Sequence, residues 1–469
     1  MFLRGRVLLG HTISLDTNST YGGKIIMASI KPISGFPEWL PEEKLVEERF
    51  LSKIARVFQL HGFSPIETPA IERVGTLIAK GGNEKEIYRI GRLHATGEST
   101  DDNDLALHFD LTVPMARYIA QHERELVFPF KRYQMQTVWR GERAQSGRFR
   151  QFYQCDIDIV GRGTLPLVCD AEIPAIMASV LRSLNIGDFQ IRINNRKILQ
   201  GFLSGAGVDS TNHHAVMGCV DKLEKVGEAD VLSEIRTVLS DESFDASGIL
   251  DFLSRKIPLS RIEELRPLSA NVLYQEGVGE LAEVVAATLA KGVKTSELVV
   301  DLSIARGLDY YTGTVFETRL VKYPELGSVC SGGRYENLVG TFASGNYPGV
   351  GMSIGLTRLL FQLFKHKVVA AHTQSYTKFF LIPLSLEARV NAYVERFATR
   401  LRDWDVPCEV SLIQGKLAKH IEYAEKKGVA RVVLIGTDEI ANRTVRVKDL
   451  ATREQQDVSI IDEAFFTGF

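Results

Sequence analysis

The residues in this chain best suited to chemistry are arginines. Between Phe130 and Gln151 the sequence FKRYQMQTVWRGERAQSGRFRQ carries Lys131, Arg132, Arg140, Arg143, Arg148 and Arg150 against one acid, Glu142. A guanidinium stays charged and donates in pairs from a planar fork, which suits phosphate oxygens. β-like runs flank this stretch, so the arginines are expected at the mouth of a strand–loop–strand hairpin. An ordinary basic loop would have the same composition. Just beyond it, Asp158 alternates with Ile157 and Ile159. In a strand that spacing turns the carboxylate away from the isoleucines, onto a polar face.

Other chemistries lose their main support. Ser331-Gly332-Gly333-Arg334-Tyr335 and Gly349-x-Gly351-x-x-x-Gly355 fit tight turns and close packing. There is no G-x-x-x-x-G-K-[ST] phosphate loop, and no G-x-G-x-x-G opens a βαβ unit. HEREL at 122–126 lacks the second histidine of H-E-x-x-H. Cys155, Cys169, Cys219, Cys330 and Cys408 form no close pair, so neither a zinc site nor a disulfide framework is expected, and a reducing compartment is the simple reading.

The elements that must position these residues follow from periodicity. The chain has 469 residues, 45% apolar and 24% charged, ordinary globular usage that excludes disorder and suggests several domains. The net charge of −2 confines any nucleic-acid surface to a local patch. No run of about 18 or more uncharged apolar residues occurs, so no helix is expected to cross a membrane. Apolar spacing predicts a helix over Glu42–Leu60 after Pro41, then an extended Phe63–Ile71. Strands are expected near Ala106–Phe109, Tyr133–Arg140, Phe152–Val160, Leu298–Leu302 and Thr314–Leu320. Helices are expected over Cys169–Leu184 and Ile354–Lys365, with a polar loop at 93–104. Residues 195–293 read as an inserted helical subdomain, and 376–469 as an α/β domain with a mainly parallel sheet.

Three separated segments resemble the motifs of class II aminoacyl-tRNA synthetases. GFSPIETP, ending in Pro69, is similar to the dimer-interface motif. Arg140-Gly141-Glu142 followed by Arg148-Phe149-Arg150-Gln151-Phe152 resembles the second motif, and Gly349 to Arg358 the third. Ala305-Arg306-Gly307-Leu308-Asp309-Tyr310-Tyr311 resembles the R-G-L-D-Y-Y signature of the histidyl-tRNA synthetases. Phe152-Tyr-Gln154-Cys-Asp156-Ile-Asp158-Ile resembles their eukaryote-type F-Y-Q-C-D-F-D-I, and Asp110–Pro114 and Ser331–Tyr335 also match. The resemblance covers residues 40 to 460. It departs at His108, where the family usually has arginine, at Thr357, where an acid is usual, and at Ala144, where proline is common.

The resemblance implies an α+β fold. An antiparallel-sheet catalytic domain would be split into 41–194 and 294–366 around the 195–293 insertion, with an anticodon-binding domain at 376–469. It implies ATP, L-histidine and tRNA(His) as substrates, Mg²⁺ held mainly by ATP phosphates, and a homodimer. Arg140 and Arg306 would contact the α-phosphate from opposite sides, and Arg148 the γ-phosphate. Phe152 and Arg358 would sandwich adenine, with Glu142 beside it. Asp110, Thr112 and Gln154 would bind the polar backbone of histidine. Asp158 and Tyr311 would read its ring, with Arg306, Tyr310 and Tyr335 at the same pocket. Taken singly, Phe152, Tyr310 and Tyr311 fit core aromatics, and Asp110 fits a turn cap. Lys416, Lys419, Lys426, Lys427 and Arg431 form either a solvated face or a tRNA-backbone surface.

Two other function classes share parts of this pattern: a synthetase-like sensor or regulator that does not aminoacylate, and an ATP-dependent ligase acting on a free small acid. Retention of the arginines and of the C-terminal domain favours the synthetase. Residues 1–40 form an N-terminal extension. Its first 27 residues carry Arg4, Arg6 and Lys24, five Ser/Thr and the single acid Asp16, a composition shared by organellar transit peptides and exposed tails. The expected location is the cytoplasm, with mitochondria as a second destination through this segment.

Overall fold

The computed structural model describes residues 30–79, 84–92, 104–143, 147–220, 226–241, 244–304 and 311–469. Arg306 and Tyr310 lie outside the described residues, as do Ala144, residues 1–29 and most of the expected 93–104 loop.

Six strands form the centre of the main sheet: β1 (Phe130–Trp139), β2 (Gln151–Val160), β3 (Phe189–Asn195), β4 (Tyr311–Leu320), β5 (Cys330–Tyr335) and β6 (Gly349–Gly355). They lie side by side as β1-β2-β6-β5-β4-β3, every pair antiparallel. Ser64–Pro65 adds a short parallel edge beside β1, and Leu298–Asp301 runs parallel to β3 at the other side. One face of this sheet is a helix-covered core. Cys155, Ile157 and Ile159 of β2 are buried there with residues of the helices Pro41–Leu60, Val168–Leu184 and Val272–Ala290. The first of these begins with proline at N1, where a missing N–H costs nothing, and the Leu40 N–H donates to Glu43 Oε2 at 3.0 Å.

The 195–293 segment is mostly helical. Its side chains continue the main core: Val231, Ile235, Phe252, Leu265 and Tyr274 belong to the cluster that contains Ile157 and Ile191. Its strand Lys256–Ile257 also pairs with Leu298–Asp301 in the main sheet.

A buried ion pair fixes the core helices to the strands of the site. Asp170, fully buried in the helix Val168–Leu184, lies 2.8 Å from Arg334 of β5 and accepts from Thr314 Oγ1 of β4 at 2.7 Å. Arg334 also donates to the Leu165 carbonyl at 3.1 Å. Removing one partner of such a pair strands the other charge. Arg334→Met is therefore expected to lower unfolding stability by about 3–5 kcal/mol, read as a lower denaturant midpoint.

The C-terminal sheet has the order Cys408–Val410, Phe379–Pro383, Arg431–Ile435, Thr444–Asp449, Gln455–Ser459. The first three strands are parallel and the last two antiparallel, so the sheet is mixed where a mainly parallel one was expected. Connection length decides this. Parallel neighbours need a crossover of about a dozen or more residues, and only residues 450–454 join the last two strands. Phe379 and Leu381 pack with the helix Ala388–Asp403 on one face, and Phe380 and Ile382 with Leu417–Lys427 on the other. Burial on both faces explains the unbroken apolar run FFLI.

Candidate active site

The other face of the main sheet, covered only in part by the helix Thr112–Gln121, holds a cavity of about 810 Å³. Along β2 the side chains Phe152, Gln154, Asp156 and Asp158 all line it, while the odd-numbered residues enter the core. The alternation read from Asp158 and its isoleucines is thus present in the strand. At about 3.4 Å per residue, this row sets Asp158 and Phe152 roughly 20 Å apart, one at each end.

At the Asp158 end, Asp110, Thr112, Tyr311 and Tyr335 converge. The register slips between Tyr311 and Val315 of β4, a bulge that seats Tyr311 opposite Tyr335. Tyr335 donates to Asp158 Oδ1 at 2.9 Å, and Arg132 Nη2 lies 2.6 Å from Asp158 Oδ2. Asp110 is both a cap and a cavity wall: its Oδ1 accepts from the Val113 N–H at 3.1 Å at the start of the helix Thr112–Gln121. The glycines of β6 make room for these groups. A Cβ at Gly351 would meet Asp158 Oδ1 at 2.1 Å, and one at Gly349 would meet the Tyr335 ring at 2.3 Å.

Three buried carboxylates here face one buried guanidinium, Arg132. Burial pushes Asp110 above its ordinary range, against the pull of the Val113 N–H, Arg140 and Arg132. Burial likewise pushes Asp156 up to about 7 and Asp158 up to about 6, each opposed chiefly by Arg132. Among the described residues the carboxylates of this pocket outnumber its cations, which suits a small cationic group. A raised carboxyl pKa means the folded chain holds more protons than the unfolded chain between about pH 4 and 7. The stability this gives the ligand-free protein is present below about pH 4 and is lost as pH rises through 6 to 7. Denaturant midpoints across that window should fall. A small ligand carrying an ammonium group, which favours the ionised carboxylates, should restore more stability at pH 8 than at pH 5.

At the Phe152 end the lining is cationic, with Arg140, Arg148 and Arg358. Arg140 donates from Nε to the Phe109 carbonyl at 3.0 Å, and its guanidinium stands 5.1 Å from the Phe152 ring centroid. Arg148 is ion-paired with Glu142. Arg358 donates to the Leu326 carbonyl at 3.1 Å. Arg140 is thus the guanidinium seen over the Phe152 ring.

The structure brings together in this cavity Asp110, Thr112, Arg140, Glu142, Arg148, Phe152, Gln154, Asp158, Tyr311, Tyr335 and Arg358, every sequence-predicted site residue that it describes. Two participants were missed. Asp156 shares the β2 face, and its Oδ1 has no hydrogen-bond partner among the described residues; the same alternation that singled out Asp158 could have found it. Arg132 sits directly opposite Asp158 across β1 and β2, a register invisible in the sequence. Of the departures, His108 is buried, bonded through Nε2 to the Thr137 carbonyl at 2.8 Å, and pushed down by burial, so its ring is neutral. Thr357 Oγ1 accepts from the Tyr153 N–H at 2.8 Å, a local structural bond.

An antiparallel sheet whose open face passes from carboxylates to arginines, beside a separate mixed α/β domain, defines the class II aminoacyl-tRNA synthetase fold. Residues 35–359 match the family model described as histidyl-tRNA synthetase, and residues 378–464 match one described as an anticodon binding domain. The chain is 42% identical over 442 residues to a histidine–tRNA ligase of Clostridium tetani, covering 93% of this chain and 97% of that one. It is 44% identical to one from Micrococcus luteus, covering 90% and 93%. The crystal structure of histidyl-tRNA synthetase from Nostoc sp. PCC 7120 superposes with a TM-score of 0.85 at 39% identity, covering 94% of this chain and all of that chain. The chain belongs to the histidyl-tRNA synthetase family. These relatives are bacterial, so the expected eukaryotic type is not supported; eight residues of one strand motif weigh little against similarity along some 440.

Proposed function

We infer that this protein joins L-histidine to tRNA(His) with ATP, through histidyl-adenylate, releasing pyrophosphate and then AMP. The single observation that carries the reading is the β2 face, with carboxylates for the ammonium and ring N–H of an amino acid at one end and arginines for phosphates at the other. The carboxylate of histidine attacks the α-phosphorus, and the bond to the pyrophosphate oxygen breaks. A terminal ribose hydroxyl of tRNA then attacks the acyl carbon, and AMP leaves. The first step needs no general base, because an α-carboxyl with a pKa of about 3.5 is already ionised. Its acceleration comes from in-line positioning and from cations fixed where phosphate charge develops.

Arg140 takes the α-phosphate, with Arg306 opposite it by motif position, and Arg148 leaves Glu142 to meet the γ-phosphate. Phe152 stacks on adenine, and Arg358 turns from Leu326 to cover the other side, a cation–π contact. Asp110, Thr112 and Gln154 hold the ammonium and polar backbone of histidine. Asp158 and Tyr311 face its two ring nitrogens, with Tyr310 and Tyr335 completing the pocket. A ligand that leaves either group unpaired is disfavoured strongly, because buried polar groups are costly to leave unmet. Mg²⁺ would come with ATP, bound mainly through phosphate oxygens as a hard cation prefers. Glu142, Glu317 and Glu325 are cavity-lining carboxylates that could approach it, and it would shield the triphosphate charge.

The C-terminal domain binds the anticodon stem. On its helix Leu417–Lys427, Lys426 is paired with Glu422, Lys427 with Glu409, and Arg431 nearby with Asp449. The exposed Lys416 and Lys419 are the better phosphate contacts. The protein acts as a homodimer through the Phe63–Ile71 segment. It works in the cytoplasm, and residues 1–27 carry a share of it to mitochondria; a reporter fusion that stays wholly cytosolic would remove that second destination.

A regulatory reading has one observation in its favour. A Bacillus halodurans structure described as an ATP phosphoribosyltransferase regulatory subunit/histidyl-tRNA synthetase shares the fold, at a TM-score of 0.69 and 20% identity. Charging of tRNA(His) by the purified protein separates the two: histidyl-tRNA formation supports the enzyme, and binding without charging supports the regulator.

A further inference from the structure

Arg132 is fully buried, yet it is not among the cavity-lining residues. It stands behind Asp158, its register partner across β1 and β2, with Nη2 2.6 Å from Asp158 Oδ2. Its remaining contacts anchor it. Nη1 donates to Gln134 Oε1 at 3.3 Å, and Gln134 Nε2 donates to Thr68 Oγ1 at 2.9 Å, tying the guanidinium to the extended Phe63–Ile71 segment. Nε points at Met115 Sδ, 3.1 Å away, a weak acceptor. Asp158 is thus held from two sides, Oδ2 by Arg132 and Oδ1 by the Tyr335 hydroxyl.

We propose that Arg132 is a positioning residue for substrate selection, which keeps Asp158 an oriented, ionised acceptor so that the pocket takes the neutral imidazole of histidine through a ring N–H. This rests on the reading of the cavity as a histidine site.

The charged and titratable groups around Asp158 make the requirement plain. Asp156 shares its strand, Asp110 approaches from the start of the helix Thr112–Gln121, Tyr335 comes from β5 and Tyr311 from β4, while β6 offers only Gly351. Two of these are carboxylates and two are phenols, so among the described residues Arg132 is the cation that faces Asp158. Burial and the neighbouring Asp110 push the Asp158 carboxyl up, and Arg132 is the strongest opposing influence. Without it, burial among like charges would leave Asp158 protonated at neutral pH. A carboxyl group that donates cannot accept the same ring N–H, and its rotation would be restrained by Tyr335 alone.

The test is histidine-dependent ATP–pyrophosphate exchange by the full-length protein from pH 6.5 to 9, comparing wild type, Arg132→Met and Arg132→Lys. Methionine keeps much of the bulk without the charge; lysine keeps the charge without the fork. Each unit by which the Asp158 pKa rises reduces the competent fraction about tenfold below that pKa. Arg132→Met should therefore raise KM for histidine at pH 7, about tenfold for an Asp158 pKa raised by about two units, with the deficit shrinking toward pH 9 and KM for ATP nearly unchanged. Arg132→Lys should show a smaller deficit that does not vary with pH. A histidine KM unchanged in Arg132→Met, or raised equally at every pH, would overturn the proposal. So would a pH-dependent deficit in Arg132→Lys, which also decides the matter if the methionine variant does not fold. Wild-type protein with no histidine-dependent exchange at all would overturn the reading of the site, and this inference with it.

Discussion

Gly351→Ala should nearly abolish histidine-dependent pyrophosphate exchange. The added methyl would lie 2.1 Å from Asp158 Oδ1 and 2.5 Å from the Ile157 carbonyl. The second neighbour is backbone of the adjoining strand, paired in register with β6, so neither side can yield without parting the sheet. The accessible relief is for Asp158 to swing away from Tyr335 and Arg132. Loss of a buried, charge-assisted hydrogen bond to substrate is worth about 2–3 kcal/mol, or about a hundredfold in kcat/KM for histidine. Overpacking adds an unfolding cost of about 1–3 kcal/mol. ATP binding, at the other end of the β2 row, should be weakened far less. A variant with wild-type histidine KM would show that Asp158 is not the ring reader.

Arg140→Ala should lower the rate of adenylate formation by about 10²–10³, the loss seen when one preorganised donor to a developing anion is removed. Arg140 begins β1's exit loop, held by its bond to the Phe109 carbonyl, so its guanidinium is tethered before ATP arrives. Its removal should fall on kcat, with KM for histidine changing only a few-fold, since the carboxylate pocket is intact. Arg140→Lys should recover little, because a point charge lacks the fork that meets two phosphate oxygens. Equal losses in kcat and in histidine affinity would mean that Arg140 serves the pocket structurally instead.

What the sequence made legible was local. A strand's two-residue period separates Gln154 and Asp158 from Cys155 and Ile157 without any tertiary knowledge, and the helix Pro41–Leu60 announces itself by apolar spacing. The motif glycines could be read only as close packing; which groups they admit depends on strands far apart in the chain, Asp158 across from Gly351 and Tyr335 across from Gly349. Arg132 read as part of a basic patch because composition cannot distinguish a buried guanidinium from an exposed one. The partners of the lysine cluster were hidden in the same way: Lys426 and Lys427 find Glu422 and Glu409, the latter on the strand Cys408–Val410. The mixed C-terminal sheet was misread because VARVVLIG and TVRVKDL look alike in either direction, and connection length, not strand composition, sets parallel or antiparallel pairing.

The central claim is that one cavity selects histidine and activates it with ATP. ATP–pyrophosphate exchange, run with each of the twenty amino acids separately, with Mg²⁺ and without tRNA, tests it most directly. Exchange with histidine alone is the predicted result. Folded protein that exchanges with no amino acid, or as well with another as with histidine, would contradict the account.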